Sequence, residues 1–117
     1  MTYLEALAHM RSRRRVGNNT WLIDCTADDK IKLRLHNTDI VVFTPHGMTL
    51  NSGGWRTITT LHRMNQWIAP WHITQRDYEW YLSRNDATEC VVIDYADGIL
   101  LRADGGVQYP RPAGGTD

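Results

Sequence analysis

Basic side chains are the most concentrated chemical feature of this sequence. Four of them, Arg11, Arg13, Arg14 and Arg15, fall within five residues. Guanidinium groups at this density bind phosphate or carboxylate well, because each presents several donors to a pair of oxygens. The same positions also suit the C-terminal end of a helix, where cations complement the helix dipole. The cluster therefore has two interpretations, an anion-binding patch or a solvated helix end.

A second group of cations follows the two-residue period of a β-strand. Residues 30–36 read KIKLRLH, so basic and aliphatic side chains alternate without a break. Successive side chains of a strand point to opposite faces of its sheet. We therefore predict that Lys30, Lys32 and Arg34 face water on one side of a sheet, while the aliphatic side chains pack into the core.

A third candidate site lies where a glycine pair leads into a helix pattern. Residues 53–57 read GGWRT, and a turn through the two glycines would leave the first N–H groups of the helix unpaired. Thr57 or Thr59 can cap that helix, and Arg56 and Arg63 lie near its start. Backbone donors, hydroxyls and guanidinium groups together are typical of a phosphate site. The alternative is a structural corner between a strand and a helix, which needs the same glycines.

Two predicted helices position the N-terminal arginines and the residues that follow the glycine pair. Thr2 and Glu5 have the spacing of a capping box, which predicts an N-terminal helix that runs to about Arg14. A second, central helix is predicted over residues 59–68, with one apolar face buried. Trp55, just before this helix, is expected to supply a large apolar anchor.

Strand patterns account for most of the remaining chain. Alternating or apolar runs occupy residues 16–25, 30–36, 40–44, 48–50, 71–75, 78–84, 89–94 and 99–102. Short connections favour antiparallel pairing, and Asp97-Gly98 is a strong hairpin signal between the last two runs. The sequence predicts an α+β fold, with an antiparallel sheet of about six to seven strands, an N-terminal helix and one central helix. We expect a single domain over residues 1–108 and a flexible tail over residues 109–117.

Composition restricts the function classes without choosing one. The net charge is zero, but residues 1–68 carry +4 and residues 69–117 carry −4, which suits a basic face for nucleic acid or for an acidic protein. Cys25 and Cys90 lie in apolar runs and are predicted to be buried free thiols of a reducing compartment. A membrane span would need about 20 consecutive apolar residues, which the sequence lacks, so we expect a cytoplasmic protein.

Catalytic chemistry is hard to assemble from these residues. The five histidines occur singly, and no metal-ligand spacing, nucleophile motif or nucleotide-binding loop is present. A cluster of His36, His62 and His72 with Asp39 stays open, because folding could bring these side chains together. We predict that the protein is not an enzyme and that it needs no cofactor or metal.

Two segments carry a family resemblance. Residues 35–41 read LHNTDIV, and residues 50–65 read LNSGGWRTITTLHRMN. Together with GNNT at residues 17–20, they are similar to a group of small proteins from bacteriophages and their bacterial hosts that share the pattern LHxTDIV…LNSGGWRTxTTxxRxN. The resemblance covers about residues 16–102, and the last third matches only loosely. It implies a cytoplasmic protein of mobile-element origin and brings no catalytic residue with it.

Three functions are compatible with these features. The first is a non-enzymatic inhibitor of a host nucleic-acid-directed defence complex, similar to anti-CRISPR proteins, whose partner is a host protein or ribonucleoprotein. The second is a direct nucleic-acid-binding protein that contacts phosphates. The third is an enzyme that binds a nucleotide or another phosphorylated ligand at the glycine corner. The candidate binding residues are Arg11, Arg13, Arg14, Arg15, Lys30, Lys32, Arg34, Arg56, Thr57 and Arg63.

Overall fold

The computed structural model describes residues 1–85 and 89–110 of the chain. Two helices lie in this part, α1 (Tyr3–Ser12) and α2 (Ile58–Asn65). The strands, in chain order, are β1 (Arg15–Gly17), β2 (Thr20–Cys25), β3 (Lys30–Leu35), β4 (Thr38–Thr44), β5 (Gly47–Leu50), β6 (Trp71–Arg76), β7 (Glu79–Asn85), β8 (Cys90–Asp94), β9 (Ile99–Arg102) and β10 (Val107–Gln108). The predicted α+β class is confirmed, and both the N-terminal and the central helix form.

Helix α1 begins at the predicted cap. The Thr2 hydroxyl accepts a hydrogen bond from the Glu5 N–H at 3.1 Å, and the Glu5 carboxylate accepts one from the Thr2 N–H at 3.0 Å. This capping box satisfies donors that have no partner inside the helix. The helix ends at Ser12, before the predicted Arg14, because the backbone of Arg13 is already extended.

Seven antiparallel strands form the larger sheet, in the order β1-β2-β3-β4-β5-β9-β10. Strands β2 to β5 follow one another as the predicted meander. The run predicted as one strand over residues 16–25 is two strands, β1 and β2, joined by a tight turn at Asn18-Asn19. Asn19 adopts a φ of 51°, a conformation that asparagine tolerates better than most residues.

The alternation predicted for β3 is present. Its aliphatic side chains are buried in the core that the sheet forms with α1 and α2, and its basic side chains lie on the opposite face. In β4, Ile40 is an extra residue, since Leu33 pairs with Val41 while Arg34 pairs with Asp39. This bulge lets two consecutive side chains, those of Ile40 and Val41, both be buried.

Thr57 caps α2, whereas Thr59 lies inside the first turn. The Thr57 hydroxyl accepts a hydrogen bond from the Thr60 N–H at 3.2 Å. The helix ends at Asn65, three residues before the predicted end, and its buried face, which includes Met64, packs against the inner side of the larger sheet. Packing of this face, more than propensity, must hold so short a helix.

Strands β6, β7 and β8 form a separate three-stranded sheet. Asp77 and Tyr78 connect β6 to β7 with φ values of 52° and 66°, as a two-residue type I′ turn requires. The buried face of this sheet carries Trp71, Ile73, Trp80 and Leu82. Asn65 of α2 bonds both backbone groups of Ile73, at 2.7 and 2.9 Å, so the edge strand β6 is attached to the helix.

The hairpin predicted at Asp97-Gly98 does not form. Strand β8 pairs with β7 in the smaller sheet, and β9 pairs with β5 and β10 in the larger sheet. The dipeptide does make a turn, but that turn carries the chain from one sheet to the other, and the Gly98 N–H donates to the Leu50 carbonyl at 2.7 Å. The predicted antiparallel sheet of about six to seven strands is confirmed by the larger sheet, but β6, β7 and β8 form a second sheet, because the same turn residues suit a hairpin and a crossing.

The Asp97 carboxylate attaches this crossing to the loop before α2, an arrangement called the Asp97 clamp below. It accepts hydrogen bonds from the Ser52 N–H at 2.8 Å, from Ser52 Oγ at 3.0 Å and from the Tyr95 hydroxyl at 2.7 Å. Burial alone would raise the pKa of Asp97, but these bonds and the charge of Arg56 hold it below its ordinary value. Burial and the bond to Asp97 raise the pKa of Tyr95, so its hydroxyl keeps its proton and donates.

The cysteines differ from the prediction. Cys25 is half-buried and Cys90 is exposed, and both are free. The prediction of a buried thiol is wrong for Cys90 because β8 is an edge strand whose alternate residues face water.

Parts of two predicted segments lie outside the described residues. Residues 111–117 of the predicted tail are among them, whereas the Tyr109 hydroxyl donates to the Asp94 carbonyl at 2.6 Å. The connection between the runs predicted at residues 78–84 and 89–94 also falls partly outside. Neither of the two described helices is long and apolar enough to cross a membrane.

Replacing Asp97 by alanine should lower the free energy of unfolding by about 2–3 kcal/mol at pH 7, because the buried Ser52 would lose its acceptors. The folded-state pKa of Asp97 is depressed, so its stabilisation is present above the unfolded pKa of about 4 and disappears as the pH falls through the folded pKa. Urea denaturation at pH 7 and pH 3 measures both effects. Asp28→Ala removes an exposed carboxylate as the control. A loss equally large at both pH values would contradict the clamp.

The cap of α2 gives a second, smaller stability effect. Thr57→Ala should cost about 1 kcal/mol, because the Thr60 N–H loses its acceptor. Thr59→Ala is the matched control and should change stability by a few tenths of a kcal/mol, since alanine is also a good helix former. Thermal unfolding followed by circular dichroism compares the two, and equal effects would contradict the assignment of the cap.

Candidate functional site

The outward face of the larger sheet brings basic and aromatic side chains together. Arg15 on β1 pairs with Trp21 on β2, and Trp21 pairs with Arg34 on β3, so the three form a row across the strands. The Arg15 guanidinium lies 6.0 Å from the Trp21 ring centre, at the outer limit of a cation–π contact. Trp21 is 47% exposed. This row, with Lys30 and Lys32 along β3, is called the cationic face below.

A carboxylate that is not among the candidate binding residues lies on the same face. Asp39 accepts two hydrogen bonds from Arg34, at 2.7 and 3.3 Å, and lies 3.8 Å from Lys32 Nζ. The hydrogen bond to Asp39 raises the pKa of Arg34, and the carboxylate cancels part of the positive charge. The prediction that all three β3 cations face water is therefore corrected: Lys30 is exposed, whereas Lys32 and Arg34 are half-buried and paired, because the bulge at Ile40 sets Asp39 opposite Arg34.

The N-terminal arginines do not form one patch. Arg11 and Arg14 line a cleft beside α1, where Arg14 Nη2 lies 3.7 Å from the Asp24 carboxylate. Arg13 and Arg15 line a different opening, of about 600 Å³. The extended backbone after α1 explains the division, because alternate side chains of an extended chain point in opposite directions.

The opening beside Arg13 and Arg15 is called the arginine cleft below. Its other lining residues are His9, Ser12, Val16, Gly17 and Trp67. No carboxylate is among the described residues that line it. The His9 ring lies edge-on to the Trp67 ring, with 5.1 Å between their centres. The cleft thus combines two exposed guanidinium groups with an imidazole and an indole.

Arg63 of α2 approaches the same cleft from behind β1. A β-carbon on Gly17 would lie 2.7 Å from Arg63 Nη1, so the missing side chain makes room for a third guanidinium. Arg63 Nη1 donates to Gln66 at 3.2 Å, while its Nε is buried and, within the described part of the chain, has no hydrogen-bond partner. The sequence grouped Arg63 with the helix start, whereas in the fold it neighbours the N-terminal arginines.

Arg56 and Thr57 make contacts within the fold. The Arg56 guanidinium lies 4.8 Å from the ring centre of Tyr95 and 5.3 Å from that of Trp80. The Thr57 hydroxyl accepts from the Thr60 N–H and lies 3.1 Å from the Thr60 hydroxyl. Both residues therefore stabilise the corner before α2, which is the structural alternative that the sequence left open. Arg56 nevertheless keeps an exposed side.

A cavity of about 480 Å³ lies at the start of α2 and is called the Trp55 pocket below. Its walls come from the β3–β4 turn and from the first turn of the helix. Trp55 is 66% exposed at this pocket, so it is not the buried anchor that the sequence predicts. The other lining residues are Leu35, His36, Asn37, Thr38, Ile40, Ser52, Thr57, Thr59 and Thr60.

The described residues contain no group of three or more histidine, cysteine, aspartate or glutamate side chains that could hold a metal ion. The cluster of His36, His62 and His72 with Asp39, which the sequence left open, therefore does not form a metal site.

The chain resembles a known protein family over most of its length rather than at one site. A family model described as Kyanoviridae Gp96 protein matches residues 2–102. The chain belongs to this phage protein family. The match supports the phage origin that the resemblance implied, and the segment common to the Gp96 family contains the cationic face, the arginine cleft and the Trp55 pocket. No curated protein and no solved structure matches the chain.

Sequence analysis missed several residues that complete these features in this Gp96 family member. His9 and Trp67 join the arginine cleft only because α1 and the end of α2 pack together, and no local pattern signals that contact. Asn37 and Thr38 had a usable signal, since polar residues in a tight turn beside a core strand often line a cavity rim. Asp39 had one as well, because a carboxylate just after a basic strand commonly pairs across the turn.

The pairing on the cationic face predicts how its charge can be increased. Asp39→Asn removes the carboxylate that binds Arg34 and Lys32, so the face should bind heparin more strongly and elute at higher salt. Stability should change by no more than about 1 kcal/mol, because the pair is partly exposed. Asp77→Asn is the matched control, since it changes the net charge equally in the turn of the smaller sheet. Equal retention of the two variants would show that this face does not contact the polyanion.

Proposed function

We propose that this phage protein is a non-enzymatic binding protein that inhibits a nucleic-acid-directed defence complex in the cytoplasm of the host, in the manner of anti-CRISPR proteins. The partner would be a host protein or ribonucleoprotein complex, and the contact would be with phosphate groups of the nucleic acid that it holds. The observation that carries the proposal is the arginine cleft, in which Arg13 and Arg15 line an opening with no carboxylate among the described lining residues, and Arg63 lies beside its Gly17 wall.

The chemistry of the cleft is suited to phosphate groups. Guanidinium groups bind phosphate through pairs of parallel hydrogen bonds, which gives both affinity and orientation. Arg13 and Arg15 are exposed and therefore accessible to a large partner. The adjoining row of the cationic face adds Trp21, and a combination of cations with exposed aromatic rings is typical of surfaces that contact nucleic acid.

The phage origin supports a role against the host. A small phage protein that contacts the nucleic acid held by a defence complex needs positive charge, flat ring surface and a stable scaffold, and it needs no reaction of its own. The +4 charge of residues 1–68 would steer the protein towards the polyanion at low salt.

Affinity capture from host lysate, with mass spectrometry of the retained proteins, tests the proposal. The tag belongs after residue 117, because the α-amino group of Met1 donates to the Ala69 carbonyl. We expect capture of a nucleic-acid-directed complex that is released by salt, and we expect that expression of the protein raises phage plating on a host that carries the defence. Capture of nothing, or no change in plating, would refute the proposal.

Charge reversal locates the contact. Arg13→Glu with Arg15→Glu should weaken capture at least tenfold, because two attractive groups of the arginine cleft become repulsive. Arg76→Glu with Arg102→Glu makes the same change in net charge at exposed positions outside the cleft and should leave most capture intact. Equal losses in the two double variants would mean that only overall charge matters and would remove the cleft from the mechanism.

Direct binding of free nucleic acid is the second candidate, favoured by the Arg15–Trp21–Arg34 row. It predicts a gel shift with short single-stranded oligonucleotides whose affinity falls steeply as the salt concentration rises. Trp21→Ala should weaken that shift by about fivefold or more, since stacking of one base contributes about 1–3 kcal/mol. No shift at low salt would eliminate this candidate while leaving capture of a protein complex unaffected.

A further inference from the structure

The Trp55 pocket lies apart from the arginine cleft and has different chemistry. Its floor is apolar, formed by Leu35 and Ile40, which are nearly fully buried. No lysine, arginine, aspartate or glutamate is among the described residues that line it. A volume of about 480 Å³ falls within the ordinary range of small-molecule sites. The pocket is therefore suited to a small uncharged group.

Trp55 is exposed on a backbone that is held on both sides. Before it, Ser52 is bound by the Asp97 clamp, and the Trp55 N–H donates to the Ser52 carbonyl at 3.0 Å. After it, Arg56 stacks on two rings and Thr57 caps α2. The loop therefore presents a large ring at little conformational cost. Exposed tryptophans on fixed backbones are typical of contact sites.

The polar groups of the pocket are neutral and include both donors and acceptors. The hydroxyls of Ser52, Thr57 and Thr60 already bond within the protein. His36, Asn37, Thr38 and Thr59 supply an imidazole, an amide and two hydroxyls beside the Trp55 ring. Among the described residues, no side-chain hydrogen bond to protein is made by these four. They are therefore accessible to a ligand that pairs donors with acceptors along one edge.

We propose that the Trp55 pocket binds a nucleobase, stacked on the indole of Trp55 and bonded along its edge by Asn37 and the neighbouring hydroxyls. A nucleobase is flat, uncharged and rich in paired donors and acceptors, and amide side chains match such edges with two bonds. A sugar would stack equally well, but its hydroxyl pairs are usually bound by carboxylates, which the described lining does not contain. This site is independent of the proposed function, since it uses none of the arginines of the cleft.

The base can come from a free nucleotide or from a single-stranded nucleic acid, and the pocket chemistry is the same for both. Nuclear magnetic resonance titration of the amides of residues 36–38 and 55–60 distinguishes them. The probes are the four nucleoside monophosphates, a hexanucleotide of each base, and ribose 5-phosphate as the ligand without a base. We expect saturable shifts with at least one base in the millimolar range or tighter, and none with ribose 5-phosphate.

Tighter binding of the hexanucleotide by tenfold or more assigns the pocket to a base in a strand, and equal or tighter binding of the monophosphate assigns it to a free nucleotide. Trp55→Ala should weaken binding about tenfold, consistent with the loss of one stacking contact. Trp55→Phe should restore most of it. Tyr78→Asn, which removes an exposed ring in the turn of the smaller sheet, should leave monophosphate binding unchanged.

Three results would overturn the proposal. One is the absence of shifts in these amides with every base. Another is equal binding of ribose 5-phosphate, which would make the ligand a sugar or a phosphate. The third is a response of these amides only to a captured host complex, because the pocket would then be part of a protein interface. None of these results bears on capture through the arginine cleft, so failure here and failure of the proposed function are separable.

Discussion

The Asp97 clamp is the constraint on which the remaining structure depends. One carboxylate accepts three hydrogen bonds, two from the loop that leaves the larger sheet and one from the chain that leaves the smaller sheet. Because Ser52 is fully buried, these bonds have no replacement from water. The clamp thereby fixes the start of α2 relative to the two sheets. The positions of the features around that helix depend on this contact.

This arrangement separates the groups that hold the fold from the groups available to a partner. Arg56 lies at the corner that resembles a phosphate site in sequence, yet its guanidinium stacks on Tyr95 and Trp80. Arg34 is also held within the fold, by hydrogen bonds to the Asp39 carboxylate. Arg13 and Arg15 are exposed, and no carboxylate among the described residues lines their cleft. A count of charges would treat all these cations as equal. Because Arg34 and Arg56 are bound within the fold, the arginine cleft holds two guanidinium groups that a partner can reach.

The parts of the fold set by local chemistry could be predicted, and the parts set by long-range pairing could not. The β3 alternation and the Thr2–Glu5 cap depend on neighbours a few residues away, and both are confirmed. The hairpin predicted at Asp97-Gly98 is wrong because a turn dipeptide does not specify which strands it joins. The site followed the same division: the arginines were evident in the sequence, but the contact of His9 with Trp67 joins residues that lie far apart in the chain.

The arginine cleft and the Trp55 pocket are lined by different chemical groups. Phosphate contacts supply affinity and position without reading sequence, whereas base contacts supply the selection. Thr57, at the start of α2, lines the pocket, and Trp67, two residues beyond the end of the helix, lines the cleft. The packing of α2 and the Asp97 clamp before its start therefore fix both features on one scaffold. Because the cleft is cationic and the pocket is lined by uncharged groups, substitutions in one leave the chemistry of the other intact.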